Sequence, residues 1–235
     1  FLAWTTTPWT LSSNTALCVG PKIEYVAVQS FNPYTGEPAT YVCAKALLNA
    51  HFNPKAADIA FEDYKPGDKL VPFKVVAEYK GTDLVGMKYE QLLPWITPEN
   101  ADQAFRVIPG DYVTTEDGTG IVHIAPTFGA DDAKVARLAG VPGLQVVDRN
   151  GDLQAQVDLR GRFFRVEDLD PEYAAANMSP DYAEWAGRYV KNAYDAELPA
   201  DAPTLDVDIC VMLKQQNKAF RLSLIHISEP TRRYA

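Results

Sequence analysis

The chain has 235 residues, 47% of them hydrophobic and 23% charged, the balance of a folded protein with room for a sizeable core. A formal charge of −9 excludes a protein that grips nucleic acid by its own field, though not a small site that receives one RNA end delivered by a neighbouring domain. Cys18, Cys43 and Cys210 lie far apart without C-x-x-C spacing, so no disulfide, structural zinc or other metal site is expected, and a reducing cytoplasm fits.

No run of about 18 apolar residues is present, so no membrane partner is expected, and there is no signal peptide. The first residue, Phe1, stands inside an apolar run, which reads as a piece of a longer polypeptide. The opening FLAWTTTPWTLSSN sets Thr5, Thr6 and Thr7 between Trp4 and Pro8–Trp9 and ends at Asn14. Its plain reading is a β-strand running into a bend. The sharper reading is a patch of hydroxyls on stiff β-branched residues beside an apolar wall.

Two more strands follow, TALCVG and IEYVAVQS, then a hairpin loop at Asn32–Pro38 leading into TYVCAKALL. A strand is predicted from Phe73 to Tyr79 and a short helical turn within GTDLVGMKYEQLLPW. FRVIPGDYVTTEDGTGIVHIAP predicts two strands around the turn Glu116–Asp117–Gly118. Ala130 to Ala139, between two glycines and with acids in its first turn, predicts a short helix. A hairpin is predicted over Arg149–Asn150–Gly151. The strongest helical period runs from Tyr182 to Leu198, with Trp185, Tyr189 and Ala193 on one face. LDVDICVMLKQQNKAF predicts a last helix, docking onto a portion outside the chain.

These elements predict a β-rich α+β fold, a β-barrel-like core with flanking helices. The division expected is a core over residues 1–165, a helical end over 166–221, and a non-native tail over 222–235. Leu222 to Arg232 reads as a transposase-type sequencing adapter translated in frame, which removes His226 from fold reasoning.

DGTGIVHIAPTFGADD carries the other chemistry-bearing residues. His123 sits on an apolar strand, where a lone histidine is usually a hydrogen-bonded, half-buried residue. Asp131 and Asp132 sit at a helix start, where acids usually serve the helix dipole. In combination with the threonine peptide they become specific. AWTTTPWTLSSNTAL and GTGIVHIAPTFGADD resemble the two signature peptides of the editing domain inserted in class I isoleucyl-tRNA synthetases, and the resemblance covers residues 1–221. The leucyl and valyl relatives usually carry Arg-Pro-Asp or Arg-Pro-Glu where this chain has Thr7–Pro8–Trp9. One departure is Ser12, where that family usually has proline.

The resemblance implies hydrolysis of valine mischarged onto the isoleucine tRNA. Asp132 would take the α-ammonium, a charge-assisted contact. Thr5, Thr6, Thr7, Thr10 and Asn14 would surround the ester and terminal ribose, and His123 would limit side-chain size. In an extended strand Thr5 and Thr7 share one face while Thr6 points away. Trp4 or Trp9 would stack on the terminal adenine, unless it is a core aromatic. The implied partners are the tRNA 3′ CCA end carrying valine and the remaining synthetase domains. No cofactor is implied for this piece: ATP and magnesium belong to the parent's activating domain, whose HIGH and KMSKS-type motifs are absent. Two alternatives stay open, a valyl- or leucyl-type editing domain and a non-catalytic insert that docks the CCA end.

Overall fold

The computed structural model describes residues 1–199 and 202–222. His226 and all of the foreign-looking tail beyond Leu222 lie outside the described residues. β1 (Ala16–Val19) is the apolar run ALCV, buried along its whole length, and a strand buried on both faces needs a neighbour on each edge. β5 (Arg106–Pro109) lies parallel on one edge and β6 (Ile121–Ile124) antiparallel on the other. β5 and β6 are the two strands expected around Glu116–Gly118; β1 stands between them instead of their pairing directly.

The second sheet is antiparallel, with β2 (Glu24–Phe31) between β3 (Pro38–Ala44) and β4 (Lys74–Lys80). β7 (Gln145–Val147) and β8 (Leu153–Ala155) form the small hairpin expected over Gly151, whose φ of +85° suits glycine. The mixed α and β composition is as the sequence predicts, but the described strands form three separate sheets and no closed barrel. Strands of three or four residues offer too few rungs for the tilt and stagger that closure demands.

Two short helices, α1 (Leu48–His51) and α2 (Gly81–Leu84), close loops beside the second sheet. α3 runs Ala130–Ala139 as predicted and ends at Gly140 with φ +66°. The two-residue period of β1 explains the layering. Ala16 and Cys18 pack with Ile108, Ile124 and Ala136 of α3, while Leu17 and Val19 pack with Tyr25 and Ala44 of the second sheet. The first sheet is thus sandwiched between α3 and the second sheet.

The C-terminal third departs most from prediction. After α4 (Pro171–Asn177), the expected helix over 182–198 is only short 3-10 turns at Pro180–Glu184 and Asn192–Tyr194. Gly187 stands at φ +79°, and the backbone around it pairs with a neighbouring segment. Phe163 N–H donates to Arg188 O, Gly187 N–H to Phe163 O and Val190 N–H to Gly161 O. Trp185 is instead stacked on Trp95 at 4.8 Å. The last helix, α5 (Leu205–Gln215), forms as expected but docks within this chain: Leu205, Ile209 and Leu213 enter the cluster of Trp95, Phe163 and Trp185. The irregular segment after it returns to the second sheet, where Phe220 packs on Tyr41 and Phe52. Among the described residues no helix is long and apolar enough to cross a membrane.

Candidate functional site

The threonine peptide is not a strand. Trp4 makes one isolated parallel bridge to Val122 of β6; the chain then bends at Thr6 and enters a 3-10 turn, Pro8–Ser13. Proline at the first turn position and threonine before it favour that start, since Pro8 has no N–H to orphan. The bend keeps Thr5 and Thr7 together, as an extended strand would, and brings Thr10 to them. Thr5 Oγ1 accepts from Thr7 N–H at 3.0 Å and stands 3.5 Å from Thr7 Oγ1. Thr7 Oγ1 is in turn 3.5 Å from Thr10 Oγ1. Both oxygen pairs are longer than a firm hydroxyl hydrogen bond, so the Thr7 hydroxyl keeps its capacity to donate to another group. Thr5, Thr7 and Thr10 therefore form one line, with Thr6 exposed at the bend.

Thr10 connects that line to the second peptide. Its hydroxyl donates to Thr7 O at 2.8 Å and lies 3.3 Å from His123 Nε2. A hydroxyl has one proton, already given to Thr7 O, so Nε2 carries the hydrogen and donates. Nδ1 is buried without a hydrogen-bond partner. Burial holds the His123 pKa below its ordinary value, with the Asp132 charge pulling the other way. The ring is neutral at pH 7. A neutral, half-buried imidazole fixed by Thr10 is suited to be a wall.

Asp132 is the third residue of α3, and its Oδ2 accepts from Ala125 N–H at 2.9 Å. The carboxylate folds back over the helix start, where a Cβ on Gly129 would come within 3.0 Å of its Cγ. Its second oxygen accepts no hydrogen bond among the described residues. The Asp132 charge acts on His123, which puts both in one electrostatic neighbourhood, although among the described residues no hydrogen bond joins Asp132 to the threonines.

The two peptides are also clamped elsewhere. Thr15 N–H donates to Ile124 O at 3.0 Å, and the Trp9 ring meets Phe128 edge-on at 4.8 Å. Asn14 is packed inward. It is buried, its Nδ2 donates to Ala16 O at 2.9 Å, and its Oδ1 accepts from Tyr89 OH at 2.7 Å. Its amide braces the peptide from behind. Trp4 is 46% exposed and its ring lies over Gly118, where a Cβ would sit 3.6 Å from Cε3. Trp9 is the packed member of the pair. Ser12 closes the turn by donating its hydroxyl to Trp9 O at 2.9 Å.

Sequence reasoning missed Tyr89, Phe128 and Gln156, which brace the site. Gln156 Oε1 accepts from Ser13 Oγ at 3.1 Å. Tyr89 and Gln156 come from remote segments with no local signal; Phe128 lies inside the second signature peptide, where an aromatic beside Gly129 could have been flagged. Among the described residues no group of three or more His, Cys, Asp or Glu is placed to hold a metal ion.

No family model matches the chain. It is 66% identical over 223 residues to isoleucine–tRNA ligase of Bacteroides fragilis, covering 94% of this chain and 19% of that protein. The corresponding ligase of Cytophaga hutchinsonii is 50% identical over 240 residues, with 98% and 20% covered. The chain therefore spans about a fifth of the length of these curated relatives. Among solved structures, the crystal structure of GlLeuRS-CP1 matches with a TM-score of 0.50 at 17% identity, over 99% of this chain and 83% of that one. By sequence the chain belongs to the isoleucine–tRNA ligase family as a segment of such a ligase, and its fold is that of the editing domain inserted in the isoleucyl, valyl and leucyl group.

Proposed function

We propose that this domain hydrolyses the ester between valine and the terminal ribose of the isoleucine tRNA. The observation that carries the reading is the Thr7–Thr10–His123 line, which ties the two signature peptides together with the Asp132 carboxylate in the same neighbourhood. The need follows from chemistry: one missing methylene weakens binding only modestly, and isoleucine against valine is the established example of that limit. A second, smaller site admits valine and excludes isoleucine by shape.

In the reaction, water adds to the ester carbonyl, the bond to the ribose oxygen breaks, and that oxygen takes up the proton. The Thr7 hydroxyl orients the water or the developing oxyanion; Thr5 holds the Thr7 backbone. The uncommitted oxygen of Asp132 receives the α-ammonium. His123 stands as the wall, neutral and fixed by Thr10. The exposed Trp4 face is the stacking platform for the terminal adenine. Residues 1–165 supply this chemistry and 166–221 lead back toward the synthetic body of the ligase, with tRNA and those remaining domains as partners in the cytoplasm. No metal or nucleotide takes part.

The test is release of valine from valyl-tRNA carrying the isoleucine anticodon, at high concentration of the 235-residue chain, with isoleucyl-tRNA as control. Faster release of valine than in buffer, with isoleucine retained, is expected. Tight tRNA binding with no release makes the insert a docking module; preferred release of threonine or leucine makes it a valyl- or leucyl-type site.

A further inference from the structure

Asp206 stands on α5, far from both signature peptides in sequence, yet its Oδ1 accepts from Trp9 N–H at 2.8 Å across 197 positions. The start of any helical turn leaves N–H groups without partners inside the turn. In Pro8–Ser13 the proline has none to satisfy, and Thr10 N–H is bonded to Thr7 O. Trp9 N–H is left over, and Thr7, in the capping position, makes no side-chain cap.

We infer that Asp206 is a positioning residue of the deacylation site: from α5 its carboxylate caps the Pro8–Ser13 turn and sets where Thr7 and Thr10 stand against His123. This rests on the reading of the site given above. Trp9 lies between Thr7 and Thr10 in sequence, and its ring also touches Phe128 of the second peptide, so its backbone is the pivot of the arrangement.

A docking role alone does not account for Asp206. Leu205, Ile209 and Leu213 already seat α5 in the Trp95–Trp185 cluster, and Thr204 Oγ1 caps the helix at Val207 N–H. Asp208 on the same helix is held at 2.5 Å by Arg188. The helix is thus a rigid platform without Asp206, and a partly buried carboxylate is a costly way to add adhesion. Burial raises its pKa to about 6, with Lys191 the opposing cation and Cys210 the other titratable neighbour. The geometry that repays burial is the bond to Trp9.

The experiment compares wild type, Asp206→Ala and Asp206→Asn in the full chain, by valyl-tRNA deacylation kinetics, melting temperature and Trp9 amide hydrogen exchange. Asparagine keeps an acceptor oxygen; alanine does not. Alanine is expected to lower kcat about tenfold or more with KM within about twofold, and asparagine to restore kcat to within about threefold. Trp9 exchange should quicken in the alanine variant alone. Equal kcat in wild type and alanine variant, or asparagine and alanine alike in both kcat and exchange, overturns the inference. If the wild type releases no valine, the deacylase reading fails, and the amide comparison decides the cap: protection lost with alanine and kept with asparagine supports it, equal exchange in all three overturns it.

Discussion

The two peptides that build the site are held in opposite ways. Residues 117–132 rely on regular elements close in sequence: His123 is a rung of β6 and Asp132 the third residue of α3, bonded to Ala125 seven positions back. Residues 4–15 have no such frame. Their hydroxyls sit on a bend and a 3-10 turn braced by remote groups, Tyr89 on Asn14, Gln156 on Ser13 and Asp206 on Trp9. The second peptide therefore takes its geometry from a strand ladder on β1 and a helix start, whereas the first takes it from side-chain braces spread over the rest of the molecule. Substitutions in the second should remove a chemical function outright, and substitutions behind the first should loosen it by degrees.

The largest effect is expected at Asp132. Asp132→Ala should lower valyl-tRNA release about a hundredfold by losing the charge-assisted contact to the α-ammonium. Its cost in stability should stay near 1–2 kcal/mol, from one backbone hydrogen bond and the helix-start charge. Stability by urea titration alongside deacylation rate checks this. Unfolding at room temperature, or release unchanged, would break the comparison at its firmest point. His123→Ala comes next and should change substrate choice more than rate. With the ring gone the pocket admits one more methylene, so isoleucyl-tRNA should be cleaved within about tenfold of the valyl rate.

The same contrast explains what could be read from sequence. β1, β2, β4, α3 and the Gly151 hairpin follow from apolar period, turn residues and glycine ends, all local signals. The order β5-β1-β6 could not be read, because the two strands flanking an apparent turn are separated by one more than 80 positions earlier. The helix expected over 182–198 failed where Gly187 and the pairing of Arg188 and Val190 with residues 161–163 outweighed an apolar period. The candidate site residues could be singled out in sequence because, taken together, they resemble two signature peptides. Their braces could not, since a tyrosine, a glutamine and an aspartate acquire meaning only through the contacts the fold brings them.

Asn14 sharpens the comparison in the middle range. Asn14→Ala strands the Tyr89 hydroxyl, which is part-buried and has its pKa pushed far upward by desolvation, so about 1–3 kcal/mol of stability should be lost. Tyr89→Phe should cost somewhat less, and the double variant less than the sum of the two, because the second change removes a group the first has already orphaned.

pH separates the peptides again. The folded-state pKa of Asp206 is raised to about 6, above the ~4 of an unfolded chain, so its contribution is full below ~4 and is lost as pH rises through 6. His123 is shifted down, so its contribution is present above ~6.5 and is lost as pH falls through its folded value. Asp206→Asn should therefore be more stable than wild type at pH 7 by roughly 1–2 kcal/mol, allowing for partial exposure, with the gap closing toward pH 4. A constant gap across that range would remove Asp206 from the account.

The smallest effect is expected at Ser12, and it tests whether the first peptide needs its braces to be of any particular kind. The hydroxyl closes the turn through Trp9 O, a bond normally worth about 0.5–1.5 kcal/mol net. Proline at the same place stiffens the turn through its ring: it fixes a φ that suits a 3-10 turn and removes about 0.4–1 kcal/mol of unfolded-state freedom. The two devices offset one another, so Ser12→Pro should leave the urea midpoint within about 1 kcal/mol of wild type and deacylation within about twofold. A loss of several kcal/mol would mean that the turn tolerates only the hydroxyl and that the position of Thr10 depends on it. Near-equality would mean that what the turn requires is closure, by whichever means, and that the decisive constraint on the threonines is applied at Trp9.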